Sequence, residues 1–114
     1  AKNLVELIEN GIFDGVKNKN ILKECLSPMI MKNIDYLVLG CTHYPIVIKS
    51  INTLIPQNVK VIDSGIAVAK QTKRVLKNRN IETNVAKPEY IFYCNGPLNS
   101  LNKILNNKFV VNTV

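Results

Sequence analysis

The chain has 114 residues, 46% hydrophobic and 20% charged, with a formal net charge of +7 and three cysteines. That size sets one core as the expectation, and the composition excludes wholesale disorder. The odd cysteine count, without a CxxC pair, excludes a disulfide framework and structural zinc spacing, and the apolar runs fall far short of the roughly 20 residues a membrane helix needs. A soluble, cytoplasmic protein with reduced thiols is therefore expected.

The chain opens mid-pattern on Ala1, without Met or leader, which suggests that it begins inside a longer polypeptide. Leu4, Val5, Leu7 and Ile8 start a short helix that Gly11 can end as a left-handed cap. A second helix is expected over about Asn20–Asn33, with Ile21, Leu22, Cys25, Leu26, Met29 and Ile30 inward and a kink or break at Pro28. Asp35–Leu39 is a continuous apolar run of the kind that forms a buried parallel strand. Gly40 to Tyr44 is a tight loop, and Pro45 suits the first turn of a helix that buries Val47, Ile48, Ile51, Leu54 and Ile55 before Pro56 stops it.

Val59–Ile62 reads as a second strand. Asp63-Ser64-Gly65 then turns into a helix reaching about Asn78, with Ile66, Ala69, Val75 and Leu76 as its apolar stripe. The densest basic group, Lys70, Lys73, Arg74 and Lys77, lies on that helix as a solvated face without interleaved aromatics, so nucleic acid is not an expected partner. Tyr90–Tyr93 is a third strand, Pro97–Asn107 a last helix and Phe109–Val111 a last strand. Strands alternating with helices give an α/β class with a mainly parallel sheet and flanking helices.

Ligands of open α/β sheets bind beyond the carboxyl ends of the strands, and Gly40-Cys41-Thr42-His43-Tyr44-Pro45 falls at such a point. Gly40 lets the backbone turn and a ligand approach. Cys41 follows at the strand tip, beside the start of a helix whose free amides and dipole favour a thiolate or a bound carboxylate. Thr42 offers a hydroxyl to a substrate or to the helix end. His43, the one histidine of the chain, can exchange a proton with Cys41. The same cysteine also reads as a packed small hydrophobe. No further cluster completes a metal site around this pair.

Leu37-Val38-Leu39-Gly40-Cys41-Thr42-His43-Tyr44-Pro45 resembles, nearly residue for residue, the second cysteine motif of bacterial glutamate racemases. Leu4–Gly11 resembles the family's segment bearing an acidic residue, which falls on Glu9. Leu26-Ser27-Pro28-Met29 and Val61–Gly65 resemble two further family segments, and the likeness loosens after about Lys77. The resemblance implies a racemase free of pyridoxal and metal, with two cysteines on opposite faces of the substrate α-carbon. It implies that Cys41 acts on L-glutamate, that His43 assists it, that Glu9 is a second acid/base or an orienting carboxylate, and that Thr42 contacts substrate. Aspartate racemases of the same superfamily look similar here but usually carry Glu where this chain has His43, which favours glutamate.

The family's first cysteine, in an Asn-Thr-Ala setting, has no counterpart in the chain. Cys25 reads as a core residue, and Cys94, before Asn95-Gly96, matches no catalytic position. The resemblance thus implies a partial chain of a two-domain, pseudo-symmetric fold. In that fold residues 1–62 belong to the second domain and residues 63–114 return to the first. The partners implied are L- and D-glutamate, the missing N-terminal half and, as a homodimer, a second copy. Alone, the chain is expected to be inactive, and its hydrophobic faces are expected to await absent strands. Two other readings are an α/β module binding a small anion at Gly40–Pro45, and a thiol enzyme with Cys41 as a covalent nucleophile activated by His43. Against the latter, no third group is identifiable to orient His43.

Overall fold

The computed structural model describes residues 3–83 and 85–114. Helix α1 (Leu4–Glu9) is followed by α2 (Val16–Ile30), strand β1 (Tyr36–Val38), a 3₁₀ turn (Tyr44–Val47) continuing into α3 (Ile48–Asn52), and β2 (Lys60–Ile62). Then come α4 (Gly65–Asn78), β3 (Ile91–Cys94), α5 (Leu98–Ile104) and β4 (Val110–Thr113). β1 pairs with β2 in parallel, with Leu37 opposite Val61 and Val38 opposite Ile62. β3 pairs with β4 in parallel, with Phe92 opposite Val111. Each pair is linked through a helix, as parallel strands require. The two pairs form separate sheets, so the expected parallel α/β pattern is met in two pieces.

Helix ends follow from residue type. Gly11 adopts φ +75°, and its N–H donates to the Ile8 carbonyl while the Ile12 N–H donates to the Leu7 carbonyl, both at 2.9 Å. This is the two-bond left-handed cap in which glycine avoids a Cβ clash. Asparagine does the same for α4 and α5. Asn80 (φ 54°) and Asn106 (φ 53°) lie past their ends and donate to Lys77 and Lys103, while the residues after them, Ile81 and Asn107, donate back to Leu76 and Asn102. Among the described residues, every non-glycine with positive φ is an asparagine, the side chain that best tolerates this region.

The core gathers Leu4 and Ile8 of α1, Leu22 and Leu26 of α2, Leu37 and Leu39 at β1, Val47, Ile51 and Val59. Two local expectations need correction. Helix α2 starts four residues earlier than expected, at Val16, and runs through Pro28 to Ile30. Pro28 sits in the last turn, where only the carbonyl four residues back loses a donor, so the helix ends just beyond it instead of breaking. Met29 is exposed rather than inward, while Leu22 and Leu26 carry the packing.

Beyond this core the chain is under-buried. The strand expected to be buried on both faces alternates instead: Leu37 is covered while Val38 is 68% exposed. Helix α4 has no buried residue, and its apolar stripe stands open, with Ile66 71% and Val68 59% exposed. The chain exposes 8966 Å², against about 6,300 Å² for a compact monomer of this mass. Its radius of gyration is 17.2 Å, against roughly 13 Å for a compact domain of this length. A helix with one apolar face is stable in water only when that face is covered, and among the described residues none buries it. No described helix is long and apolar enough to cross a membrane.

Candidate active site

The register of β1 and β2 sets the site. Pairing Val38 with Ile62 brings the loop after β1 beside the turn after β2, and the Leu39 N–H donates to the Ile62 carbonyl at 2.8 Å. A groove of about 420 Å³ opens there, lined by Gly40, Cys41 and Thr42 from one loop and Asp63, Ser64 and Ala67 from the other. Asp63 is folded onto its own turn, its Oδ1 accepting the Gly65 N–H at 2.7 Å. Thr42 is exposed.

Cys41 and His43 lie on the turn that begins the 3₁₀ segment; Tyr44 N–H donates to the Cys41 carbonyl at 3.2 Å. The turn aims both side chains the same way. Cys41 Sγ stands 3.7 Å from His43 Nδ1, within hydrogen-bond range for sulfur. The other ring nitrogen, Nε2, stands 3.3 Å from Oε1 of Glu9, at the end of α1. Three groups thus stand in line: thiol, imidazole, carboxylate. With Nε2–H directed at the carboxylate, Nδ1 presents its lone pair to the thiol. Such a line can draw the proton from Cys41 and hold the resulting imidazolium against Glu9. The expectation that no third group orients His43 is therefore corrected: Glu9, 34 positions earlier in the chain, is that group.

The helix beyond Cys41 is weaker than expected. Its first turn is 3₁₀ and α3 adds five residues, so only a short stack of peptide dipoles points at the loop. The imidazole is the nearer electrostatic partner of the thiol.

A second cavity, of about 380 Å³, opens on the far side of His43. Glu9, Asn10 and His43 line one wall, and Cys94, Asn95, Gly96 and Ser100 the other. Cys94 Sγ accepts the Gly96 N–H at 3.3 Å. Spacing could not have found this neighbourhood, because it depends on how α5 packs against α1. Cys25 lines an interior apolar cavity with Leu22, Leu26 and Leu37, in keeping with a core residue.

No protein-family model matches the chain. A glutamate racemase of Histophilus somni is 38% identical over 99 residues, covering 86% of this chain and 37% of its own length. One from Pseudomonas paraeruginosa is 46% identical over 76 residues, covering 67% of this chain and 29% of its own. Among solved structures, a glutamate racemase isoform of Bacillus anthracis superposes with a TM-score of 0.81 at 27% identity, covering 98% of this chain and 44% of that one. The Francisella tularensis enzyme, solved in complex with D-glutamate, gives 0.78 at 32% identity, covering 96% and 43%. The chain spans less than half the length of these relatives.

Proposed function

The chain belongs with the glutamate racemases as a partial length of their fold, and from that premise we propose that it carries one of the two proton-transferring thiols of a cofactor-independent glutamate racemase, Cys41. The observation that carries the reading is the line of Cys41, His43 and Glu9 beside a groove at the strand ends. Two solved relatives hold glutamate: that of Francisella tularensis with D-glutamate, and that of Escherichia coli with L-glutamate and an activator.

In this mechanism Cys41 gives its proton to His43 Nδ1, and Glu9 steadies the imidazolium. The thiolate then takes the α-proton of L-glutamate, and a second thiol delivers a proton from the opposite face. The α-proton is weakly acidic, so the carbanionic intermediate needs fixed donors around the substrate carboxylate, with Thr42 among them. In the reverse direction Cys41 returns the proton. The second thiol belongs to the N-terminal complement, which also covers α4 and the open faces of both sheets. Residues 1–62 form part of one domain and residues 63–114 return to the other. The assembled enzyme works in the cytoplasm as a homodimer and supplies D-glutamate for peptidoglycan.

The test combines the chain with a recombinant complement holding the missing first half of a close relative, and supplies L-glutamate in deuterated water. Deuterium at Cα with formation of D-glutamate is the expected result. Glutamate binding without exchange would reduce the chain to an anion-binding module, and exchange of aspartate in preference to glutamate would reassign the substrate. A covalent adduct trapped on Cys41 would make the thiol a nucleophile instead.

A further inference from the structure

One long-range contact joins the two halves of the chain next to the thiol–imidazole–carboxylate line. Lys103, on α5, reaches back across 93 positions, and its Nζ donates to the backbone carbonyl of Asn10 at 3.0 Å. Asn10 is the residue after Glu9 and caps α1. Its N–H and its side-chain amide both donate to the Glu6 carbonyl, at 3.0 and 2.9 Å, so the end of α1 is tied along the helix as well. A cation at a helix carboxyl end is favoured by the dipole and by the orphan carbonyls there. The neighbouring glycine lets the lysine in: a Cβ on Gly11 would collide with Lys103 Cδ. The backbone that bears Glu9 is thus clamped from outside by a side chain of the other sheet unit.

We propose that Lys103 is a positioning residue that fixes the end of α1, so that Glu9 stays within reach of His43 Nε2 and thereby keeps Cys41 reactive. This inference rests on the reading of Cys41, His43 and Glu9 as a proton relay. It adds a second feature: the relay is set by the contact between the two halves of the chain, so that any shift of α5 against α1 retunes the thiol. Lys103 touches neither substrate nor thiol and acts only through α1.

The test measures the alkylation rate of Cys41 by iodoacetamide in the 114-residue chain, resolved from Cys25 and Cys94 by peptide mass spectrometry. Lys103→Met, which keeps the aliphatic stem, is expected to slow Cys41 by about threefold, a fraction of what a charge-assisted hydrogen bond is worth, because this one is exposed and reaches the thiol only through α1. Lys103→Arg, which still donates, is expected to keep most of the wild-type rate. Glu9→Gln is expected to slow Cys41 at least as much as Lys103→Met, and the double variant no more than Glu9→Gln alone, because both act on one path. If Lys103→Met reacts at the wild-type rate while Glu9→Gln is slow, the clamp is refuted and the relay stands. If the two losses multiply, Lys103 acts elsewhere and the clamp is refuted. If Glu9→Gln changes nothing, relay and clamp fall together. In the assembled enzyme, Lys103→Met is expected to lower kcat with KM unchanged, and a raised KM at constant kcat would contradict a role through Glu9.

Discussion

Replacing Glu9 with Gln removes one charge from the relay and almost none of its volume. When His43 takes the thiol proton, the new imidazolium sits 3.3 Å from the carboxylate oxygen. Two unit charges at that distance attract by about 1.3 kcal/mol at the dielectric of water and about 5 kcal/mol at an effective value near 20. The Glu9 side chain is 55% exposed and that of His43 28%, so solvent screening holds the interaction towards the lower figure. A loss of about 1–2 kcal/mol predicts a fall of roughly 5- to 30-fold in kcat/KM. The two enantiomers have equal free energy in water, so the fall must be the same whether the reaction starts from L- or D-glutamate. Following both directions by circular dichroism in the assembled enzyme reads this directly. An unchanged rate would refute the relay. A loss of about a thousandfold or more would refute the supporting role and make Glu9 a proton-transferring group in its own right.

Other consequences follow from the same structure. Val68→Ser on the open face of α4 is expected to change the unfolding free energy of the isolated chain, read by urea titration, by less than about 0.5 kcal/mol, and to destabilise the assembled protein by about 1 kcal/mol or more if the proposed complement covers that face. The Asp14 carboxyl is held below its ordinary value of 3.8, first by the Gly15 N–H and then by the Lys19 ammonium, with the Ser50 hydroxyl adding to them. A lowered folded-state value means stability that is complete above the ordinary value and lost as pH falls through the lowered one. Asp14→Asn is therefore expected to flatten the acid limb of a thermal-stability profile below about pH 4 and to leave its shape near neutrality unchanged. An acid limb as steep as that of the wild type would contradict this.

What the sequence makes legible depends on the range of the cause. Gly11 ends α1 for a reason internal to one residue, its left-handed φ, and that end was readable. The strand–loop–helix passage through Gly40 and Pro45 was readable too, because periodicity and proline geometry are local. Cys41 and His43 are two positions apart, and their proximity follows from the turn they share. Glu9 is different: nothing in its spacing ties it to His43, and only the family resemblance marked it before α1 was seen packed against the 3₁₀ turn. Asp63 and Ser64 enter the groove through strand register, which a single strand does not encode. For α4, the apolar stripe was readable but not its exposure, since a stripe does not say what packs against it.

The most direct test of the central claim is Cys41→Ser in the reassembled protein, with racemisation and α-proton exchange followed separately from each enantiomer. The account predicts that racemisation falls by at least about a hundredfold in both directions. Exchange from L-glutamate should vanish, while D-glutamate still exchanges its α-proton through the remaining thiol. Racemisation at the wild-type rate with serine at that position would contradict it.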